Sequence, residues 1–475
     1  MIRQIFLAAM AAISISTAAA AEVERTADEQ MAFEIYRTII GMRTAKGHGM
    51  VPEMAAYLAG ELKSAGFSDD DINILPFGET AGMTVHYRGD GSTDLKPNLF
   101  LAHMDVVDAN RDDWEYDPFV LREENGYFLG RGTADNKYGV ANLTQTFMRL
   151  KRDGFTPVRD LVLVFSGDEE TEMNTTRMLA YDRKDLTDAE FALNSDASGG
   201  GIDPDGNPLP YLMQSAEKTY ATFLVTANNQ GGHSSRPRPD NAIYELADAL
   251  KKIQGFEFPV EANSITRASM MADGKKLGGD LGKHLVAFSE DPTNKKAVKY
   301  FRKNNRYDNM IGTTCVATML NAGHAENALP QSATATVNCR IFPGNEIEDV
   351  RKTLVKVVDN DALTIEPADD RYVASPISEP REDVTAALAK ALHSRFPGLE
   401  IVPSMSAGGT DGMHFRRAGV PTYGAGGGFA KPGDTFAHGL NERVQASSFY
   451  GGLDHWMILI KEIAGPKSDK ASASD

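Results

Sequence analysis

Cysteine is scarce in this chain, with two residues among 475, Cys315 and Cys339. That excludes a disulfide-stapled scaffold and any cysteine-rich metal cluster. Long apolar runs are missing as well. Past the N-terminus no segment approaches the ~20 consecutive apolar residues of a membrane-spanning helix. Positive charge is in deficit, with 49 Lys plus Arg against 66 Asp plus Glu and a formal net charge of −17. A protein that binds a phosphate backbone needs clustered Lys and Arg to displace counterions, so nucleic acid is not an expected partner. Internal repeats are lacking, and low-complexity sequence is confined to the two ends. What remains is ordinary globular composition, 42% apolar and 24% charged. One hydrophobic core rarely grows past about 250–300 residues, so a chain of this length is expected to form at least two domains.

The N-terminus carries the pattern of an export signal. Arg3 precedes the short apolar run IFLAAMAAISIS, and STAAAA supplies the small residues that a signal peptidase accepts. Glu22, Glu24 and Arg25 follow closely, and the run is short for a bilayer span. Residues 1–21 are therefore predicted to be a signal peptide rather than a buried first helix. The mature protein is expected to be exported to the periplasm.

Along the mature chain two rhythms alternate. Helical spacing covers 28–45, 52–66 and 138–153, and the runs 98–106, 160–169 and 190–196 read as buried strands that end abruptly in polar residues. This strand–helix–strand order predicts an α/β domain, a mostly parallel sheet sandwiched by helices. From Gln214 the pattern changes. Residues 217–228, 313–323 and 332–342 alternate like antiparallel strands, 241–253 and 346–358 are amphipathic helices, and the charged stretch 260–310 reads as irregular. This block predicts an inserted α+β lid or dimerisation domain at 214–374. The catalytic domain would comprise 22–213 and 375–464, the latter with helices at 382–395 and 446–463. The tail 465–475 is predicted to be disordered.

Several acids and two histidines stand at the ends of predicted elements. His103 and Asp105 close LAHMDVV, Asp135 precedes a helix in GRGTADNKYG, Asp168, Glu169 and Glu170 end LVLVFSGDEE, Asp196 ends FALNSD, and His438 lies in DTFAHGLNE. Singly, each has a structural explanation; Asp135, for example, can cap a helix. Jointly they point further. Parallel strands deliver their carboxyl ends to one edge, so these side chains converge. Carboxylates gathered there repel one another unless a cation compensates, and two divalent ions resolve the conflict. Carboxylate, water and imidazole ligands suit zinc, manganese or cobalt. One acid exceeds the coordination need and is free for proton transfer.

The motifs HMDVV, Trp114 with DPF at 117–119, GRGTADNK, SGDEE, NSDAS, GGHSSRP, NALPQSATATVNCRI, GGTDG and AHGLNE resemble those of the two-zinc metallopeptidases and deacylases. That family includes glutamate carboxypeptidase, carboxypeptidase S, aminoacylase, carnosinase and succinyl-diaminopimelate desuccinylase. The likeness runs from about residue 30 to 463, with Trp114 and the Asp-Pro-Phe segment resembling the carboxypeptidase S branch. It implies that His103 and Asp196 hold one metal, that Glu170 and His438 hold the other, and that Asp135 bridges them. Glu169 matches the general base and Asp105 the acid that orients His103. The bond Asp135–Asn136 would be cis, as it often is in the family, although many relatives carry Asp where this chain has Asn136. His233 matches a lid histidine that, in dimeric relatives, reaches the partner's active site and binds the tetrahedral oxyanion. Asn327, Arg340, Gly409 and Thr410 match substrate-binding positions, Arg340 being suited to a bidentate grip on a carboxylate. No such match exists for His86, His324, His393, His414 or His455. Cys315 and Cys339 fall on strands expected to pair, either as a disulfide or as two buried thiols.

The function implied is cleavage of a peptide bond near a free carboxylate, of carboxypeptidase or dipeptidase type. Asp rather than Glu at 196 favours this over its alternative, an N-acyl amino acid amidohydrolase. A protein that captures peptides without cleaving them is a third reading. Glu169→Gln separates enzyme from binder: the variant should keep its metal by elemental analysis yet lose turnover by about 10²–10⁴-fold. A wild type that binds metal and peptide without hydrolysis would establish the binding protein instead.

Overall fold

The computed structural model describes residues 24–196, 199–304 and 307–466. The predicted signal peptide and residues 467–475 of the predicted tail lie outside them. The apolar runs NLFLAH and LVLVFS form fully buried strands, Asn98–His103 and Leu161–Ser166, paired in parallel with His103 opposite Ser166. Phe191–Asn194 and Thr422–Gly424 extend this sheet in parallel. The hairpin Ile72–Phe77 and Thr80–Tyr87, absent from the predicted elements, adds an antiparallel edge.

Side chains leave a strand on alternate faces, which explains why these runs are apolar throughout. Phe100, Ala102, Leu163 and Phe165 enter the main core beneath helices Ala27–Ile40, Val51–Ser64, Lys137–Arg152, Glu382–His393 and Ala446–Ala464. Leu99, Leu101, Val162 and Val164 enter a second cluster with Leu179 and Phe415. With both faces covered, the carboxyl edge of the sheet is the place left for polar chemistry.

A second sheet runs in the order Ile401–Ser406, Pro208–Glu217, Gly199–Ile202 and Phe429–Ala430. Its Gly199–Gly201 segment carries no side chains to reveal a strand period. The residue type is required, since a Cβ on Gly200 would stand 1.8 Å from the Phe429 ring. The predicted boundary at Gln214 falls inside the strand Pro208–Glu217, so the chain leaves this sheet only at Lys218. The return passes alongside, with Ser378 N–H donating to the Ser215 carbonyl at 2.8 Å.

Beyond Lys218 an antiparallel sheet orders Thr314–Ala322, Ser332–Ile341, Thr219–Asn228 and Leu363–Pro367. Ala221, Phe223, Val225, Val337 and Ile341 face Leu246, Ala249, Val350 and Leu354 of helices Ala242–Gly255 and Ile347–Val358, forming a separate core.

The 260–310 stretch is not irregular. It forms three helices, Ser264–Leu277, Gly279–Glu290 and Lys295–Asn304, around Met270, Leu285, Phe288 and Phe301. The first two touch through backbone, since a Cβ on Gly282 would lie 2.5 Å from the Gly274 carbonyl oxygen. Contact through glycine leaves no apolar stripe to read. Ile265 joins Ala216, Phe342 and Met405, wedging this unit at the junction between the second sheet and the insert.

Cys315 and Cys339 are directly paired across antiparallel strands and joined by a disulfide, which decides between the two alternatives left by the sequence. The bond closes a separation of 24 residues, a loop worth about 3 kcal/mol in a chain-entropy account. Replacing both cysteines by serine should lower the melting temperature of the insert by several degrees in calorimetry, with no change in bound metal.

Candidate metal centre

His103 ends its strand with the imidazole buried at the sheet edge. Its Nε2 lies 2.9 Å from Asp135 Oδ1, and its Nδ1 lies 3.1 Å from the Asp105 backbone carbonyl. The Asp105 carboxylate was expected to take that second ring N–H. It lies 3.6 Å from that nitrogen and also accepts the backbone N–H groups of Glu169 and Glu170 at 3.1 and 3.0 Å. Asp105 therefore shapes the turn that carries the two glutamates, and its carbonyl and carboxylate both face the far ring nitrogen of His103.

Asp135 is central. Its other oxygen, Oδ2, stands 3.2 Å from Nε2 of His438, which also lies 2.9 Å from Glu170 Oε1. One carboxylate thus contacts two imidazoles that are 335 positions apart in the chain, one oxygen to each. The bond Asp135–Asn136 is cis. Asn136 caps the helix that begins at Lys137, accepting from Gly139 N–H at 3.2 Å and from Ser195 Oγ at 3.1 Å. His438 is held in the left-handed region (φ 62°), as are Phe436 and Asn441, so the loop must be fixed from outside.

Glu442, a residue without an expected role, does the fixing. Its buried carboxylate accepts Ala134 and Asp135 N–H on Oε1 and Gly132 N–H and Arg131 Nη1 on Oε2. The guanidinium of Arg131 lies over the buried Trp114 ring, 5.5 Å from its centroid, and its backbone N–H donates to Pro118. The Trp and Asp-Pro-Phe motif is thus a clamp on Arg131, which steadies Glu442, which steadies the Asp135 loop. A second unanticipated acid, Asp411 of GGTDG, is buried and accepts Ser166 Oγ at 2.7 Å and Thr176 Oγ1 at 2.5 Å. Asp168 is a turn cap rather than a ligand, accepting from Asn174 and Thr175.

The electrostatics describe a cluster short of positive charge. Burial, with Asp196, Asp411 and Glu170 nearby and His103 opposing, pushes Glu169 well above the usual carboxylate range. Burial and Asp135 do the same to Asp196, and burial raises Asp411 to about 6. The imidazoles respond oppositely. Burial would lower His103, yet Asp105 and Asp135 hold it well above its ordinary value, and Asp135 with Glu170 raises His438 to about 10. Donor atoms of His103, Asp135 and Glu170 all lie within 4.8 Å of one another. Imidazole and carboxylate donors, converging with excess negative charge, fit divalent cations.

Among the other expected residues, Arg340 and Gly409 share a cavity of about 520 Å³ with Glu169, Glu170 and His438. Arg340 donates to the Ala407 carbonyl at 2.8 Å and lies over Tyr220. Thr410 is not on this wall. It is buried, donating to Glu217 and accepting from Asn194 Nδ2 at 3.2 Å and from Gly412 N–H at 3.1 Å. His233 and Asn327 sit together on an exposed ribbon, where Gly232–His233 pairs with Ala328–Leu329 and Ser234 N–H donates to the Asn327 carbonyl. Neither lines the cavity. His414 does line it, buried with Nδ1 3.2 Å from the Tyr181 hydroxyl and lowered to about 4 by burial.

Glu442→Gln leaves one carbonyl oxygen where two carboxylate oxygens accepted four N–H groups. The variant should fold normally by circular dichroism yet bind zinc about 10–100-fold more weakly in a competitive chelator titration, the usual cost of losing an outer-shell partner.

The model for peptidase family M20/M25/M40 matches residues 99–462. The N-fatty-acyl-amino acid synthase/hydrolase PM20D1 of Xenopus tropicalis is 26% identical over 402 residues, 80% of this chain and 75% of that protein. The probable carboxypeptidase S-like 2 of Dictyostelium discoideum is 26% identical over 411 residues, 82% of this chain and 75% of that one. In three dimensions the chain is similar to an M20 family metallo-carboxypeptidase from Sulfolobus solfataricus, with a TM-score of 0.70 at 19% identity over 91% of this chain and 99% of that chain. With its motifs spread across nearly the whole matched span, the chain belongs to peptidase family M20/M25/M40.

Proposed function

We propose that this protein hydrolyses an amide bond next to a free carboxylate, as a carboxypeptidase or dipeptidase does, with two divalent cations that are zinc, or else cobalt or manganese. His103 and Asp196 would hold one, Glu170 and His438 the other, and Asp135 would serve both. The observation that carries this reading is the Asp135 carboxylate, divided between two imidazoles, one of which, His438, lines the Arg340 cavity together with the buried Glu169. Cations bound there would supply Lewis acidity toward the substrate carbonyl and water. Glu169 takes a proton from the water whose oxygen bonds to the carbonyl carbon. It returns that proton to nitrogen as the C–N bond breaks, leaving a carboxylic acid and an amine. Asp105 holds Glu169 and Glu170 in place through their backbone N–H groups.

Arg340, on the cavity wall beside the small Gly409, grips the terminal carboxylate. His233 and Asn327 act from the insert of a second copy in a homodimer, where His233 binds the tetrahedral oxyanion. Their exposure on one ribbon supports that role. Thr410 acts indirectly, by anchoring the GGTDG turn through Glu217. The protein works in the periplasm after export. The likeness to an N-fatty-acyl-amino acid synthase/hydrolase supports a second reading, hydrolysis of N-acyl amino acids.

Chelated enzyme should be inactive against a library of dipeptides, longer peptides and N-acyl amino acids, and zinc should restore cleavage of one class. If no member is cleaved after zinc is restored, the hydrolase reading fails. Arg340→Ala should raise KM about 10–100-fold for substrates with a free carboxylate, the worth of a charged hydrogen bond, and leave amidated analogues unaffected.

A further inference from the structure

The disulfide stands beside the residue assigned to the substrate carboxylate. Cys339 immediately precedes Arg340 on the strand Ser332–Ile341, and Cys315 lies on Thr314–Ala322, the edge strand of the insert sheet. The two strands are in register, with Cys315 opposite Cys339 and Thr314 opposite Arg340. On the inner side Tyr220 is opposite Arg340, whose guanidinium lies 4.8 Å from the ring centroid. Side chains alternate between the faces of a sheet, so Thr314, Arg340 and Tyr220 share one face and the cysteines the other. Arg340 and Tyr220 line the cavity beside the metal centre, while Cys339 is fully buried in the core of the insert with Cys315 packed against it.

The two neighbours of Arg340 are held differently. Tyr220 lies on Thr219–Asn228, a strand with a partner on each side. Thr314 begins an edge strand whose register shifts between Ala317 and Met319, which leaves its first part, Thr314–Ala317, as a short separate ladder against Arg340–Val337. Burial adds little hold, since Val316, Met319 and Leu320 are 59%, 69% and 62% exposed. A short ladder at a sheet edge frays unless something else fixes it. Two ties bracket the Thr314–Arg340 pair: the disulfide on one side and, on the other, Phe342 N–H donating to Thr313 Oγ1 at 3.0 Å. Arg340 Nη1 in turn donates to the Ala407 carbonyl at 2.8 Å, so the guanidinium crosses from the insert to the catalytic domain. Its aim depends on where its strand carries it.

We infer that the Cys315–Cys339 disulfide is a positioning element for substrate binding. By clamping the edge strand beside Arg340 it fixes the guanidinium for the substrate carboxylate, and opening it loosens that grip without disturbing the metal centre. The inference rests on the reading of Arg340 as the carboxylate grip and adds a redox-sensitive determinant of affinity to it. A phosphine opens the bond in a balanced step. Phosphorus bonds to one sulfur as the S–S bond breaks, water supplies the oxygen of the phosphine oxide, and the two protons of that water end on the two thiols. Cys315, half-buried on the edge strand, offers the sulfur that the reagent meets, since Cys339 is fully buried.

The test compares three forms of the zinc-loaded enzyme: oxidised, reduced with a water-soluble phosphine, and carrying Cys315→Ser with Cys339→Ser. Alkylation followed by mass spectrometry verifies the state of the bond. With a dipeptide or N-acyl amino acid that the library shows to be cleaved, opening the bond should raise KM about 3–10-fold. The rise should be smaller than that of Arg340→Ala, because the guanidinium is loosened and not lost. Bound zinc and kcat should stay as they are, and reoxidation should restore KM. In an Arg340→Ala background, opening the bond should change KM no further, a coupling that general loosening of the fold does not produce. An opened bond with unchanged KM, or a KM that rises equally without Arg340, overturns the positioning role alone. So does a bond that resists the phosphine and whose removal unfolds the insert, since it is then structural. A wild-type KM in Arg340→Ala overturns the reading of Arg340 instead, and absence of hydrolysis in every form overturns the hydrolase reading.

Discussion

The rest of the site depends on one carboxylate shared between two imidazoles. Asp135 reaches His103 with one oxygen and His438 with the other, and Glu170 completes the contact on the His438 side. Around it, Glu169, Asp196 and Asp411 are buried acids whose proton affinities are raised because burial and like charge both disfavour ionisation. Such an arrangement is costly in isolation and is relieved by positive charge at its centre. The fold makes it possible by burying both faces of the sheet in apolar side chains, which confines the polar groups to the carboxyl edge.

Positioning comes from outside the centre. Glu442 binds the backbone of the Asp135 loop, and Arg131 pairs with Glu442 while lying over Trp114. Because Glu442 follows His438 by four positions, the same short loop delivers a histidine to the centre and fixes the aspartate it contacts. Asp105 acts comparably on the opposite side, holding the amides of Glu169 and Glu170. These acids work through backbone N–H groups, which leave no trace in residue spacing. The motifs AHGLNE and HMDVV were visible, but the partner of each carboxylate was not.

Elements with a strong apolar period were legible. The buried strands at 98–103 and 161–166 and the helices at 137–152 and 446–464 lie within a few residues of their expected spans. Legibility failed where contact is made without side chains. Gly199–Gly201 forms a strand by backbone approach to Phe429, and the helices of 264–290 meet at Gly274 and Gly282. The hairpin at 72–87 was missed as well, and it adds the antiparallel edge to the parallel strands.

From residue order alone, the chemistry was decided: acids and histidines placed at strand ends, with one acid to spare and no thiolate among them. Order also determined that the sheet is mostly parallel, because apolar runs of that length need cover on both faces. Only the tertiary structure decided which groups meet. It joined Cys315 to Cys339, withdrew Thr410 into the interior, and set His233 and Asn327 on an exposed ribbon. The reason is physical. Periodicity along a chain reports which face of an element is buried, whereas the distance between two elements is set by the packing of every side chain between them.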